Sequence, residues 1–190
     1  MSDRPTVHVI DDDAAVRESL AFLLKTAQLD VQTYESASAF LKALPQTDHC
    51  CVVTDVRMPG IDGLELLRRL KALNHTIPVI IITGHGDVPL AVEAMKIGAV
   101  DFLEKPFDDD VLLAAVRSAL NRHEQDRERE AERREIVNRL STLSNRERQV
   151  LDALVLGHPN KVIAFDLGIS PRTVEIYRAN VMTKMQANSL

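Results

Sequence analysis

The first 120 residues alternate short apolar runs with amphipathic stretches. Runs at 7–10, 31–34, 50–54, 79–83 and 101–104 have the length and side-chain types of β-strands. Elsewhere apolar residues return at spacings of three and four: Val16, Leu20, Leu23, Leu24 and Ala27; Val88, Ala91, Val92 and Met95; Leu112, Ala115, Val116 and Ala119. These are the stripes of amphipathic helices. Alternating strands and helices predict βαβ units and a parallel sheet covered on both faces. Five strands and five helices in this length predict a flavodoxin-like, doubly wound α/β domain. Such a fold places its site at the carboxyl ends of the strands.

Beyond residue 120 the pattern changes twice. Residues 121–140, NRHEQDREREAERREIVNRL, are almost all charged and contain no Gly or Pro. Glu130–Arg134 and Glu135–Arg139 have the favourable i,i+4 order, and no apolar a/d seam supports a coiled coil. The stretch reads as a solvated helical linker able to extend the preceding helix; the sharper alternative is a linker that changes shape on signalling.

From 141 onward three helices are predicted. The first spans 146–156 and is ended by Gly157 and Pro159; the second spans 160–167. A tight Gly168-Ile169-Ser170 turn leads to the third, 171–185, with Ser170 as N-cap and Pro171 at the first helical position. A helix, a short turn with Gly and a second helix make a helix-turn-helix pattern. In the last helix Val174, Tyr177, Val181 and Met185 form the inward stripe. Arg172, Glu175, Ile176, Arg178, Ala179 and Thr183 face the other way. Ile176 and Ala179 suit a thymine methyl, and Glu175 can accept from cytosine. Lys161, Arg172, Thr173 and Lys184 are placed to hold phosphates. The plainer alternative is a helical bundle with scattered surface charge.

Charge sharpens this division. The overall net of -5 conceals a front of net -7 over residues 1–120, a neutral 121–140 and a back of net +2 over 141–190. That asymmetry suggests two tasks on one chain. No apolar run approaches the roughly 20 residues that span a bilayer, and the polar residues 1–6 show no apolar core of a signal peptide. The expectation is a cytoplasmic protein with no membrane contact. Cys50 and Cys51 are adjacent on one predicted strand. They should point to opposite faces and stay small, buried and reduced.

The chemistry lies at the strand ends. Asp11, Asp12 and Asp13 follow the first strand and Asp55 the third; Thr83 ends the fourth and Lys105 follows the fifth. A parallel sheet brings these ends to one rim. Clustered carboxylates repel, and a hard cation such as Mg2+, which keeps several waters, relieves that cost. A carboxylate there can attack phosphorus. The metal and Lys105 can neutralise the phosphoryl oxygens while Thr83 donates a hydrogen bond. Gly60 and Gly63 keep the loop after Asp55 tight.

VIDDD, VVTDVRMPGIDG, IIITGHGD and DFLEKPF resemble the successive signatures of response-regulator receiver domains, over about residues 4–122. The resemblance implies a CheY-like fold with Asp55 as the phosphorylated residue. It implies Mg2+ on Asp12, Asp55 and the backbone carbonyl of Arg57, with Asp11 acting through water. Thr83 and Lys105 would contact the phosphoryl group, Phe102 would be the aromatic switch residue, and the Lys105–Pro106 bond would be cis. Asp13 would be a supporting residue or a cap for the following helix. Arg57 and His85 would flank the path of the hydrolytic water, so that their bulk sets the phosphoryl lifetime.

LSNRERQVL, NKVIAFDLGISPRTVEIYRANVMTKM and ANSL resemble the LuxR-type helix-turn-helix domain. Together the halves are similar to the NarL/FixJ class of response regulators. The expected organisation is a receiver at 1–122, a charged helical linker at 123–140 and a DNA-binding domain at 141–190. The class has a fourth helix after the segment matching ANSL. A chain stopping at Leu190 is therefore expected to lack it, and its DNA binding to be compromised unless a longer form exists.

The resemblance implies a phosphorylation-activated regulator of promoter DNA that slowly self-dephosphorylates and is no enzyme in its own right. EIYRANVMTKM and DVPLAVEAMKIGAVDFLEKPF carry a narrower likeness, to nitrogen-fixation activators of the class. That likeness implies a haem-containing, FixL-like sensor histidine kinase as phosphodonor. Phosphorylation would create a homodimer through a face near 88–96, Asp101 and Arg117. Two rivals stand beside this reading. A haloacid-dehalogenase-like phosphatase needs a second Asp two residues after the nucleophile, where Arg57 stands. A regulator acting through protein contacts would use its helical tail without DNA.

Overall fold

The computed structural model describes residues 5–44, 49–84 and 88–187. His85 and the ANSL residues Asn188, Ser189 and Leu190 lie outside them. The strands are β1 (Thr6–Ile10), β2 (Asp30–Tyr34), β3 (Cys50–Asp55), β4 (Val79–Thr83) and β5 (Asp101–Glu104). The helices are α1 (Ala14–Thr26), α2 (Ala37–Lys42), α3 (Gly63–Ala72), α4 (Val88–Ile97), α5 (Asp109–Ser141), α6 (Asn145–Val155), α7 (Asn160–Leu167) and α8 (Pro171–Met185).

The five strands are parallel, in the order β2-β1-β3-β4-β5. Every residue of β3 and β4 is buried, as is β1 after Thr6. Strands covered on both faces read as continuous apolar runs. The edge strands β2 and β5 carry Gln32, Thr33 and Glu104 outward.

Alternation along each strand splits the core into two layers. Val7, Val9, Cys51, Val53, Ile80 and Ile82 pack with Leu20 and Leu24 of α1 and with Leu112 and Val116 of α5. Ile10, Cys50, Val52, Val79 and Ile81 pack with Phe40 of α2, Leu66, Leu67 and Leu70 of α3, and Ala94 of α4. The sheet is thus doubly wound, as the pattern predicts. Cys50 and Cys51 are both buried thiols, one in each layer.

Two compact units, residues 1–126 and 127–190, divide the chain within α5. The inward stripe of α5 runs from Leu112 to His123, and no residue of the helix after His123 is buried. The charged 121–140 stretch is therefore helical, continuing the fifth helix of the sheet unit.

In the second unit Val150 and Leu154 of α6, Ile163 and Ala164 of α7 and Val174 of α8 form a small core. Ser144 and Glu147 close a reciprocal capping box at the start of α6, satisfying two otherwise orphaned N–H groups. Gly168 ends α7 in the left-handed region, φ 64°, which costs glycine nothing. Ser170 caps α8, accepting from Thr173 N at 3.1 Å, and Pro171 begins the helix.

Candidate functional site

The register between β1 and β3 pairs Ile10 with Thr54. The next residues, Asp11 and Asp55, therefore stand side by side at the carboxyl edge. Asp55 closes β3 itself, one residue beyond the 50–54 run. The ladder persists because Val56 N donates to Ile82 O at 2.9 Å.

Lys105, just past β5, joins the two acids. Its Nζ donates to Asp11 Oδ2 and to Asp55 Oδ1, each at 2.9 Å. The Lys105–Pro106 peptide is cis. Burial pulls the ammonium down, but hydrogen bonds and charge from Asp55 and Asp11 outweigh it and hold its pKa above the usual 10.5. Lys105 thus remains a cation throughout the neutral range.

Both carboxylates are buried and satisfied. Asp11 Oδ1 accepts from Asp13 N at 2.9 Å, its carbonyl accepts from the Arg17 guanidinium at 2.7 Å, and its N–H donates to Tyr34 O at 3.3 Å. Asp55 Oδ2 accepts from Arg57 N at 2.6 Å, and its carbonyl from the Thr54 hydroxyl at 3.1 Å. Of the two roles open to Asp13, the structure shows the cap: its side chain accepts from Ala15 N and Val16 N. Asp12 is exposed, and no hydrogen bond or ion pair to it forms among the described residues.

The loop after Asp55 owes its path to Gly63. A Cβ there would lie 2.3 Å from the Asp55 carbonyl oxygen. Gly63 N donates to Val56 O at 3.0 Å, folding the loop onto the end of β3. Gly60 takes φ 82°. Thr83 is fully buried at the end of β4, and its carbonyl accepts from Lys105 N at 2.7 Å. Phe102 is half-buried against the layer formed by α2, α3 and α4. The Arg57 side chain is exposed.

The donors at this edge are all oxygen, which suits a hard cation. Among the described residues no three acidic, His or Cys side chains are already drawn into a metal cage. Mg2+ does not ask for one: it is held by one or two carboxylates and keeps its waters. Two buried acids with a free exposed acid beside them fit that requirement.

In the second unit, Val174 and Val181 of α8 are buried, and Tyr177 and Met185 half-buried, along the expected stripe. Arg172, Glu175, Ile176, Arg178, Ala179 and Thr183 are exposed on the other side, and Lys161 is exposed on α7. Thr173 is half-buried, its hydroxyl 2.8 Å from that of Ser170. Lys184 departs from expectation. Instead of standing free for a phosphate, its ammonium donates to Glu147 Oε2 at 2.6 Å and to Thr142 O at 3.2 Å. It ties the end of α8 to the start of α6. Sequence reasoning missed both Glu147 in this role and Arg17 at the acidic loop; the Ser-x-x-Glu spacing of the capping box was the available signal for the first.

The pattern of the response regulator receiver domain matches residues 7–117. That of the bacterial regulatory proteins of the luxR family matches 141–190. The chain is 62% identical over 190 residues to the transcriptional regulatory protein FixJ of Azorhizobium caulinodans, spanning all of this chain and 90% of that one. Among solved structures it resembles the response regulator StyR, with TM-score 0.88 and 42% identity over 98% of this chain and 94% of the other. It also resembles full-length FixJ from B. japonicum, with TM-score 0.63 and 57% identity over 100% and 93%.

Proposed function

This chain belongs to the response regulators that join a receiver domain to a LuxR-family DNA-binding domain, phosphorylation-activated regulators of transcription, and from that membership we propose how its own residues carry the signal. The observation that carries the proposal is the Lys105 ammonium shared at 2.9 Å between Asp11 and Asp55.

Asp55 is the acceptor. One of its carboxylate oxygens forms the bond to phosphorus as the donor's bond to phosphorus breaks, P–N in a phosphohistidine or P–O in acetyl phosphate, and the leaving imidazole or acetate takes the electron pair. Lys105 then turns to a phosphoryl oxygen, and the Thr83 hydroxyl donates to another. Asp12, Asp55, the Arg57 carbonyl and, through water, Asp11 would hold Mg2+, which supplies positive charge for the phosphoryl oxygens. Arg57, with His85, shapes the approach of the hydrolytic water and so the slow self-dephosphorylation. Phe102 is the aromatic that follows Thr83.

The phosphodonor is a sensor histidine kinase of FixL type, and the genes served include those of nitrogen fixation. The protein works in the cytoplasm; no helix among the described residues is long and apolar enough to cross a membrane. The working limits are a receiver at 1–122, a helical linker at 123–140 and a DNA-binding domain at 141–190. Phosphorylation favours a homodimer through the α4–β5–α5 face. Promoter DNA is contacted by Lys161, Arg172 and Thr173 on phosphates and by Glu175, Ile176, Arg178 and Ala179 in the groove.

The test is phosphopeptide mapping after incubation with acetyl phosphate and Mg2+. The phosphate should map to the peptide holding Asp55 and vanish in Asp55→Asn. Phosphate on any other residue of the parent overturns the assignment. A mobility shift on promoter fragments, with and without acetyl phosphate, tests the output; a phosphorylated chain that shifts no fragment speaks for a regulator acting through protein contacts.

A further inference from the structure

The acidic loop between β1 and α1 is fastened from three directions. Asp13 N donates to Asp11 Oδ1 at 2.9 Å, and the Asp13 carboxylate caps the helix through Ala15 N at 2.8 Å. The third tie comes from outside the loop. Arg17, on the first turns of α1, sends its guanidinium back six residues to the Asp11 carbonyl at 2.7 Å. Arg17 is half-buried, and no carboxylate forms an ion pair with it among the described residues. A cation lying beside several acids yet bonded to a main-chain carbonyl is engaged with the backbone rather than with a counter-ion.

That carbonyl belongs to the peptide plane joining Asp11 to Asp12. Fixing the plane fixes where the Asp12 Cα stands and leaves rotation about its N–Cα bond and χ1 as the freedoms that aim its side chain. Asp12 is exposed and, among the described residues, has no partner of its own to aim it. Charge-assisted hydrogen bonds of this length are the strong ones. Partners that orient a metal ligand from behind typically change metal affinity by about tenfold or more when removed.

We propose that Arg17 is a positioning residue for the phosphoryl-accepting site: its bond to the Asp11 carbonyl aims Asp12 at the divalent cation. The proposal rests on the reading of Asp12 and Asp55 as the cation and phosphoryl site. A second effect opposes it, since a nearby guanidinium also repels Mg2+. The sign of the change on removal therefore decides which effect rules.

The experiment compares the full chain with Arg17→Ala and Arg17→Lys. Isothermal titration of Mg2+ into unphosphorylated protein should show affinity about tenfold weaker in Arg17→Ala, with Arg17→Lys recovering most of the loss. Unchanged or tighter binding in Arg17→Ala overturns the clamp, tighter binding showing a mere neighbouring charge. Amide hydrogen exchange without metal gives a separate reading. The Asp13 N–H should exchange about tenfold faster in Arg17→Ala if the tie orders the loop, and equal exchange overturns the proposal. A parent that binds no Mg2+ would instead sink the assignment of the cation site, while the exchange data still judge Arg17.

Discussion

Gly63 and His8 show how single residues are pinned by their surroundings. Nothing larger than hydrogen fits at Gly63, because an added Cβ would sit 2.3 Å from the backbone oxygen of Asp55. Gly63→Ala should therefore destabilise the receiver by about 2–4 kcal/mol and slow phosphorylation of Asp55. Urea unfolding and acetyl phosphate labelling would measure the two effects. His8 is buried between Tyr34 and Phe40. The Tyr34 hydroxyl donates to Gln32 Oε1, so His8 Nδ1 donates to the Tyr34 oxygen at 3.2 Å. That leaves Nε2 buried without a partner among the described residues. Burial lowers its pKa from 6.5 to about 4. Because the unfolded chain binds this proton more readily, the stabilisation is full above pH 6.5 and is lost as pH falls through about 4. The slope approaches about 1.4 kcal/mol per pH unit between those limits. His8→Phe should flatten that part of the stability curve; an unaltered slope would rule His8 out as its source. Asp11, Asp55 and Lys105 were legible in the sequence because strand ends carry their chemistry in the residue type. Arg17 was not, since its role depends on a side chain doubling back to a main-chain atom.

At the scale of elements, caps and cross-ties decide how firmly each helix begins and ends. Ser144 and Glu147 satisfy each other's N–H groups, and Lys184 reaches the same Glu147 oxygen from the end of α8. Hydrogen bonds from Lys184 and from the Ser144 backbone hold the Glu147 carboxyl below its usual 4.5. A depressed carboxylate stabilises the fold above its unfolded pKa. The second unit should therefore begin to lose this contribution as pH falls below about 4.5 and lose it fully below the lowered value. Ser144→Ala should cost about 1 kcal/mol, and Glu147→Gln should remove the acid dependence; chemical denaturation followed by circular dichroism at pH 7 and pH 3 would show both. The central strands β1, β3 and β4 stood out in the sequence because burial on both faces demands unbroken apolar runs, whereas the partly exposed edge strands β2 and β5 showed only through β-branched and aromatic residues. α2 did not: six residues are too few to display a 3.6-residue period. α3 carried Leu64, Leu66, Leu67 and Leu70 on its inward side, a pattern present in the sequence but masked by the glycine-rich loop before it. The Glu147–Lys184 tie spans 37 positions, a separation at which spacing rules say nothing.

For the whole molecule, the question is what phosphorylation exposes or joins. α4 buries only Ala94 and leaves Val88, Val92 and Met95 exposed, an apolar strip that an isolated monomer gains nothing by displaying. If phosphorylated copies pair through it, native mass spectrometry with acetyl phosphate and Mg2+ should show dimer for the parent. Val92→Glu should remain monomeric while still carrying phosphate on Asp55. A monomer in the fully phosphorylated parent would exclude this route. The two cysteines bear on how such pairing can be followed. Cys50 and Cys51 are wholly buried, and burial drives the Cys51 thiol well above its ordinary pKa. A thiol without thiolate or access is inert to alkylating reagents. Ellman's reagent should therefore find no reactive sulfur in the native chain and two after denaturation. A cysteine introduced on the exposed side of α4 or α8 would then be the sole attachment point for a fluorophore or spin label, giving distances between copies without first stripping the protein of its own sulfur.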